Sequence, residues 1–108
     1  MEILTPGHKY ELENFEAKDK PGQVIQFIEK MPLPENTAGA PGELITVNDG
    51  TTNEDLLRVL IDRMNSLNAK FPCRENSIAT THFETGLLWL EKRTADRVKR
   101  GVEGKHIK

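Results

Sequence analysis

Residues 51–101 read TTNEDLLRVLIDRMNSLNAKFPCRENSIATTHFETGLLWLEKRTADRVKRG, with helical periodicity on both sides of a single proline. Thr51 suits a helix N-cap, and Glu54 follows three residues later, which is the spacing of a capping box. Apolar residues then recur at steps of three and four: Leu56, Leu57, Leu60, Met64 and Leu67. This pattern predicts an amphipathic helix that starts at Thr51 and ends near Lys70.

A second helix follows at once. Phe71–Pro72 ends the first helix and opens the next, because proline fits the first turn of a helix. The second helix is predicted from about Cys73 to Arg100, and Gly101 is suited to its C-cap. At ~1.5 Å per residue this helix is roughly 40 Å long. Two helices joined by so tight a turn form an antiparallel hairpin.

The chain before the hairpin has the pattern of β-strands. Three segments alternate polar and apolar residues or are rich in β-branched and aromatic ones: Lys9–Glu13, Gln23–Ile28 and Glu43–Val47. Between the last two, Pro32–Gly42 contains three Pro and two Gly, so it is predicted as a loop. The short links predict an antiparallel meander of three strands.

Together these segments predict an α+β fold in which a small antiparallel sheet of about three strands precedes a two-helix hairpin. We expect a single domain over residues 1–108, with a strand-rich front at 1–50, the hairpin at 51–104 and a tail at 105–108. A length of 108 residues is typical of one domain.

The composition narrows the class of protein. Hydrophobic residues make up 36% of the chain and charged residues 30%, so part of the stability is expected from association. No apolar run approaches the roughly 20 residues of a membrane span, and the first residues do not resemble a secretory signal. One cysteine forms no internal disulfide. We therefore expect a soluble cytosolic protein that binds no membrane.

Charge is divided unequally along the chain. Up to Leu57 there are four Lys/Arg and eleven Asp/Glu, whereas from Arg58 onward there are eleven basic and six acidic residues. The net charge of -2 argues against a general binder of nucleic-acid polymers. An anionic ligand is expected to meet the second half.

One turn of the second helix is apolar on every side. Leu87–Leu90 reads Leu-Leu-Trp-Leu, and such a turn needs cover on all sides. Two interpretations stay open: the first helix and the sheet cover it with Trp89 beneath the sheet, or another copy of the chain covers the remainder. The second predicts a symmetric dimer or a ring of dimers.

Three arginines share one face of the second helix. Arg93, Arg97 and Arg100 are spaced i, i+4 and i+7, with Thr94 beside them. One interpretation is a solvated face at a helix C-terminus, where cations are favoured and Asp96 pairs with Arg100. The other is a phosphate site, because the arginine fork offers paired donors.

No motif predicts catalysis, a metal or a cofactor. His8, His82 and His106 are far apart and form no metal-ligand pairing. Cys73, at a helix start beside Arg74, is either an activated thiol or, as is commoner, a small packing residue.

Several motifs of the second half together resemble a known family. They are the segments TTNEDLL (51–57), VLIDR (59–63), FPCREN (71–76), LLWL (87–90), KRTADR (92–97) and RGVEG (100–104). The stretch Asn48–Gly104 is similar to the phage helical-hairpin family of anti-Thoeris and anti-CBASS signal sponges. The front, with QFIEK at 26–30, resembles the anti-Thoeris branch.

The resemblance implies a non-enzymatic function. Members of the family sequester nucleotide messengers of bacterial immunity, in the cytoplasm of the infected host. The anti-Thoeris branch binds glycocyclic ADP-ribose and starves the Thoeris effector, whereas the anti-CBASS branch binds cyclic di- and trinucleotides. The family also implies self-assembly into dimers and larger rings such as hexamers, with pockets between protomers.

The chemistry of the side chains in these motifs indicates the candidate ligand-binding residues. Arg93 and Arg97 lead, and the remainder are Arg100, Arg58, Arg63, Phe83, Thr94 and Gly101, with Phe83 either stacking on adenine or lying in the core. Four interpretations stay open: a sponge for a cyclic ADP-ribose signal, a sponge for cyclic oligonucleotides, a phage assembly or adaptor hairpin, and a nucleic-acid-binding hairpin.

Overall fold

The structure is a computed structural model, and it describes residues 1–33 and 43–101. Its elements are β1 (Glu2–Thr5), β2 (Lys9–Leu12), β3 (Gln23–Gln26), β4 (Glu29–Pro32), β5 (Leu44–Asn48), α1 (Asn53–Lys70) and α2 (Arg74–Lys99). The strands precede the helices, so the predicted α+β class is confirmed.

The first sheet has the order β1-β2-β3, and both pairings are antiparallel. Tyr10 lies at its centre, because its register partners are Ile3 on one side and Ile25 on the other. Its ring meets Phe27 edge to face, with the centroids 6.0 Å apart. Gly7 has a φ of 80°, which lets the chain reverse tightly between β1 and β2.

β4 and β5 form a separate antiparallel pair. The chain changes partner at Phe27 and Ile28: the Phe27 N–H donates to the His8 carbonyl (2.7 Å), and the Ile28 N–H donates to the Thr51 carbonyl (2.9 Å). The predicted meander of three strands is therefore two small sheets with five strands. Most of the predicted loop Pro32–Gly42 lies outside the described residues, although Pro32 itself ends β4.

The two helices form the predicted hairpin. They pack against each other and are joined by a turn of three residues, Phe71–Cys73. The Cys73 sulfur caps α2 by accepting from the Asn76 N–H (3.4 Å), and the Asn68 side chain accepts from the Cys73 N–H (2.9 Å). α2 ends at Lys99, and Gly101 follows with a left-handed φ of 72°.

The start of α1 differs from the expected one. The helix begins at Asn53, so the residue before it is Thr52. Thr51 is held by the front instead: its N–H donates to the Gln26 carbonyl (2.9 Å), and its carbonyl accepts from Ile28.

The interior of the protein is thin. No apolar side chain in residues 1–33 and 43–101 is fully buried, and the buried side chains there are Thr80 and Arg97. The described residues divide into two compact units, the front as far as Thr52 and the hairpin from Asn53. None of the described helices combines the length and the apolar character that a membrane crossing requires.

Candidate functional site

The basic end of α2 extends beyond α1. α1 has 18 residues and α2 has 26, and both start from the same turn. The eight additional residues correspond to about 12 Å of helix. The last two turns of α2 therefore lie beyond the first residue of α1, and three of the predicted site residues are in or next to them: Arg93, Arg97 and Arg100.

A surface concavity of about 540 Å³ lies along this part of α2. We call its lining the arginine face: Trp89, Lys92, Arg93, Asp96, Arg97 and Arg100. The six residues meet because positions three, four and seven apart lie on one side of a helix. The volume falls in the range of small-molecule sites, which is roughly 300–1,000 Å³.

The arginine face is strongly basic. It carries four cationic side chains and one carboxylate, and that carboxylate is paired, because Lys92 Nζ lies 2.9 Å from Asp96 Oδ2. Asp96 therefore pairs with Lys92, whereas the sequence interpretation paired it with Arg100. Cations near a helix C-terminus are favoured by the helix dipole, which offsets part of the repulsion among these side chains. An anion there is held by side chains, since the exposed carbonyls at this end repel it.

Arg97 differs from its neighbours in burial. It is 9% exposed, whereas Arg93 and Arg100 are exposed. A side chain that is already confined loses less conformational freedom when a ligand binds. Arg97 is therefore the preorganised member of the group.

Trp89 supplies an apolar surface beside these cations. It is 67% exposed, and the adjacent Leu88 is 66% exposed. A second concavity, of about 300 Å³, is lined by Thr85, Leu88, Trp89 and Lys92. The indole thus borders both concavities and presents a ring on which a base can stack.

The arginines of α1 lie away from this site. Arg58 pairs with Glu91 (3.2 Å) and with Asp55 (3.7 Å) rather than with Asp62. Glu91 and Arg93 are two residues apart, about 200° around the helix, so Arg58 is on the opposite side of α2 from Arg93. Arg63 is an exposed residue of α1 and lines neither concavity.

The other predicted residues are also separated from the arginine face. Phe83 is half-buried and shares the inner side of α2 with Leu87 and Leu90, so it belongs to the hairpin interior. Thr94 is half-buried, and Gly101 follows the helix end. Lys92 and Asp96 were not among the predicted site residues, although their i, i+4 spacing on the side of Arg93 is visible in the sequence.

The arrangement offers binding chemistry. Among residues 1–33 and 43–101, no three or more His, Cys, Asp or Glu side chains are grouped so that they could hold a metal ion. Cys73 acts as a helix cap at the hairpin turn. Charged forks, an ammonium and an indole suit an anion that carries an aromatic base.

Comparison with known proteins agrees with this description of the hairpin. The family model described as "Acb2/Tad1, hairpin domain" matches residues 34–95, more than half of the chain. The chain is also similar to "Thoeris anti-defense 1" of Bacillus phage SBSphiJ7, with 46% identity over 79 residues. The alignment covers 62% of this chain and 56% of that relative, so the chain spans little more than half the length of the curated protein it matches.

Proposed function

The chain belongs to the Acb2/Tad1 hairpin-domain family, and on that basis we propose that it is a phage anti-defence protein directed against Thoeris immunity. We propose further that it binds and sequesters a cyclic ADP-ribose signal, glycocyclic ADP-ribose, without degrading it. Sequestered signal no longer reaches the Thoeris effector. The name of the similar phage protein supports the anti-defence role.

The observation that carries the ligand proposal is the arginine face. A cyclic ADP-ribose signal has a pyrophosphate, ribose hydroxyls and an adenine. Arg93 and Arg97 are one helical turn apart beside the 540 Å³ concavity, a spacing suited to adjacent phosphates. Each charge-assisted hydrogen bond contributes about 1.5–3 kcal/mol. The exposed indole of Trp89 offers the base an apolar surface.

The proposal includes no chemical step. A sponge competes with its effector through tight binding and slow release, and it needs no nucleophile or general base. We place its action in the cytoplasm of the infected bacterium, where the signal is made. Neither a membrane nor a nucleic-acid polymer takes part.

A retention assay tests this function. The purified protein is incubated with glycocyclic ADP-ribose, freed of unbound ligand by gel filtration, and heat-denatured, and the released nucleotide is analysed by mass spectrometry. Parallel samples contain cyclic di- and trinucleotides and linear ADP-ribose. The expected result is recovery of intact glycocyclic ADP-ribose in stoichiometric amount.

Any other result of the retention assay would indicate a different function. Recovery of a converted nucleotide would make the protein an enzyme. Retention of cyclic oligonucleotides alone would make it a sponge for CBASS signals. Retention of no nucleotide would favour an assembly or adaptor hairpin. The Lys70→Ala variant, which removes an exposed cation of α1 away from the arginine face, serves as the matched control for arginine variants.

We also propose that the protein associates with itself, as a homodimer or a larger ring. The exposed Leu88 and Trp89 support this, because no apolar side chain in the described parts of the chain is buried and covering such side chains adds stability. Sedimentation at micromolar concentration should show a species heavier than the 12.2 kDa chain.

A further inference from the structure

The link between β5 and Thr51 contains an aspartate followed by a glycine. Asp49 and Gly50 are both exposed, and they belong to neither a strand nor a helix. No other glycine of the chain follows an Asp or an Asn. An aspartate is open to attack by the backbone nitrogen of the next residue, and glycine has no Cβ to obstruct that approach. The link therefore joins an exposed carboxyl to the least hindered neighbour that a protein offers.

The fold holds the two reacting groups beside each other. The Gly50 N–H donates to Asp49 Oδ1 at 2.9 Å. Within residues 1–33 and 43–101 it donates to no backbone carbonyl, and the next ladder hydrogen bond is made by Thr51. The nitrogen thus lies next to an oxygen that is bonded to the carbon it would attack. No hydrogen bond to another part of the chain has to break before the two groups meet.

Close backbone packing requires a glycine at position 50. A Cβ there would lie 2.3 Å from the Gln26 carbonyl oxygen and 2.7 Å from the Phe27 carbonyl carbon. Both are main-chain atoms, which cannot swing aside as the end of a side chain can. The approach is close because Thr51 is held against this segment by its hydrogen bond to Gln26. The fold therefore keeps an unhindered residue directly after Asp49.

We propose that Asp49 is a site of spontaneous isomerisation, at which the bond to Gly50 becomes an isoaspartyl linkage. The Gly50 nitrogen first bonds to the side-chain carboxyl carbon of Asp49. One carboxyl oxygen leaves as water with the carboxyl proton and the amide proton, and a five-membered succinimide remains. Water then opens the ring. Opening at the side-chain carbonyl restores aspartate, whereas opening at the main-chain carbonyl gives isoaspartate.

The product has a longer backbone. In isoaspartate the chain runs through the former side chain, so the backbone gains one methylene while the number of carboxylates stays the same. Hydrogen bonds fasten both ends of this link to one short segment of the front. Asn48 Nδ2 donates to Glu29 Oε1 (3.2 Å) at one end, and Thr51 bonds to Gln26 and Ile28 at the other. An inserted methylene displaces one of these fastenings.

The displaced hydrogen bonds lie where the chain changes from one sheet to the other. Isomerisation is therefore expected to lower the stability of the front. Phe27 lies at this change and packs against Tyr10, which reports on the first sheet. The arginine face belongs to α2, so isomerisation at Asp49 is independent of the proposed nucleotide binding.

Ageing the intact protein tests the site. The protein is incubated for weeks at neutral pH and body temperature, and isoaspartate is located by digestion and electron-transfer fragmentation. Isoaspartyl methyltransferase with labelled S-adenosylmethionine counts the sites. Residue 49 is expected to convert at least about tenfold faster than Asp19, which is also exposed outside the strands and helices but precedes Lys20. Equal conversion of the two aspartates would overturn the proposal.

An unfolded reference separates the fold from the dipeptide. The same protein is aged in guanidinium chloride, where the backbone is free. Because the Gly50 N–H is outside any ladder, the folded protein should convert at a rate comparable with that of the unfolded chain. Conversion in guanidinium alone would show that the fold protects the bond, and it would overturn the proposal.

Two substitutions at the exposed position 49 serve as matched variants. Asp49→Glu keeps the carboxylate, but the attack would then have to close a six-membered ring, which forms far more slowly. Methyltransferase labelling at this site should disappear. Asp49→Asn replaces the leaving water with ammonia and should speed the labelling. Unchanged labelling in Asp49→Glu would place the reactive residue elsewhere and contradict the proposal.

Thermal unfolding tests the structural consequence. The isoaspartyl form is separated by reversed-phase chromatography and refolded beside unaged protein treated in the same way. Its Tyr10 signal is expected to change at a lower temperature, whereas Asp49→Glu aged for the same time should match its own unaged sample. Equal midpoints for the isoaspartyl and unaged forms would show that the link absorbs the methylene, contrary to the proposed displacement.

Discussion

Lys92 Nζ lies 2.9 Å from Asp96 Oδ2, one helical turn away, so the single carboxylate of the arginine face is already neutralised by a neighbour. The remaining cations of the face are Arg93, Arg97 and Arg100. An anion that approaches therefore meets an excess of positive charge without first having to displace an acid. Both side chains of this pair are more than half exposed, so the pair contributes little to folding stability.

Replacing the leading arginines should weaken nucleotide binding. Arg93→Ala and Arg97→Ala are each expected to raise the Kd for glycocyclic ADP-ribose at least tenfold, which corresponds to about 1.4 kcal/mol. Calorimetry measures the Kd, and Lys70→Ala should leave it unchanged. Because Arg97 is buried, Arg97→Ala could disturb the fold, so Arg97→Lys is measured beside it. The lysine keeps the positive charge but lacks the paired donors of the guanidinium. Unchanged affinity in a folded Arg93→Ala, Arg97→Ala double variant would place the ligand elsewhere.

Tryptophan emission should report on ligand binding. Trp89 is the only tryptophan of the chain and borders both concavities, so a stacked adenine is expected to quench its emission. Titration with ligand should give a saturating decrease whose midpoint moves to higher concentration in Arg93→Ala. Free tryptophan at the same absorbance controls for inner-filter loss. If calorimetry detects binding but the emission does not change, the adenine does not stack on Trp89.

Two glycines of the hairpin should respond oppositely to the same substitution. A Cβ at Gly86, within α2, meets no atom within 4 Å, so Gly86→Ala should gain about 1 kcal/mol of unfolding free energy through helix propensity. Gly101 has equally open surroundings but a φ of 72°, so Gly101→Ala should lose about 1 kcal/mol. Urea denaturation measures both. Changes of the same sign would contradict this account of the helix and its end.

Front and hairpin should unfold together as one domain. Tyr10, the only tyrosine, reports on the first sheet, and Trp89 reports on the hairpin. We expect the two signals to change with the same midpoint as temperature rises, as in a two-state domain. Separate midpoints, or limited proteolysis that releases a folded front, would show two domains instead.

The helices were predictable because their signals are local. The apolar steps from Leu56 to Leu67, the break at Phe71–Pro72 and the stop at Gly101 each act within a few residues. The strands were harder. β1 and β4 are four residues each and largely exposed, so they show little periodicity. The exchange of partners at Phe27 depends on residues far away in sequence, and no local pattern encodes it.

The candidate site also has a part that the local sequence predicts and a part that depends on tertiary packing. The arginine row of α2 follows from i, i+4 and i+7 spacing on one helix, and the structure brings its members together with Lys92 and Trp89. Arg58 shares its residue type with this row but lies on the other helix. The side of the hairpin on which Arg58 lies depends on how α1 is rotated against α2, and tertiary packing sets that rotation. Its contact with Glu91 shows the result.

The extension of α2 beyond α1 has a consequence for evolution. On the proposed function, a change in the host's signal would require a matching change in the residues that bind it. Lys92, Arg93, Asp96 and Arg100 are exposed, and the last two lie beyond the matched range 34–95. Substitutions at these positions are expected to change the proposed ligand preference without disturbing the half-buried leucines that join the helices. If the proposed function holds, the residues that adapt to a changed signal are therefore separate from the residues that hold the hairpin together.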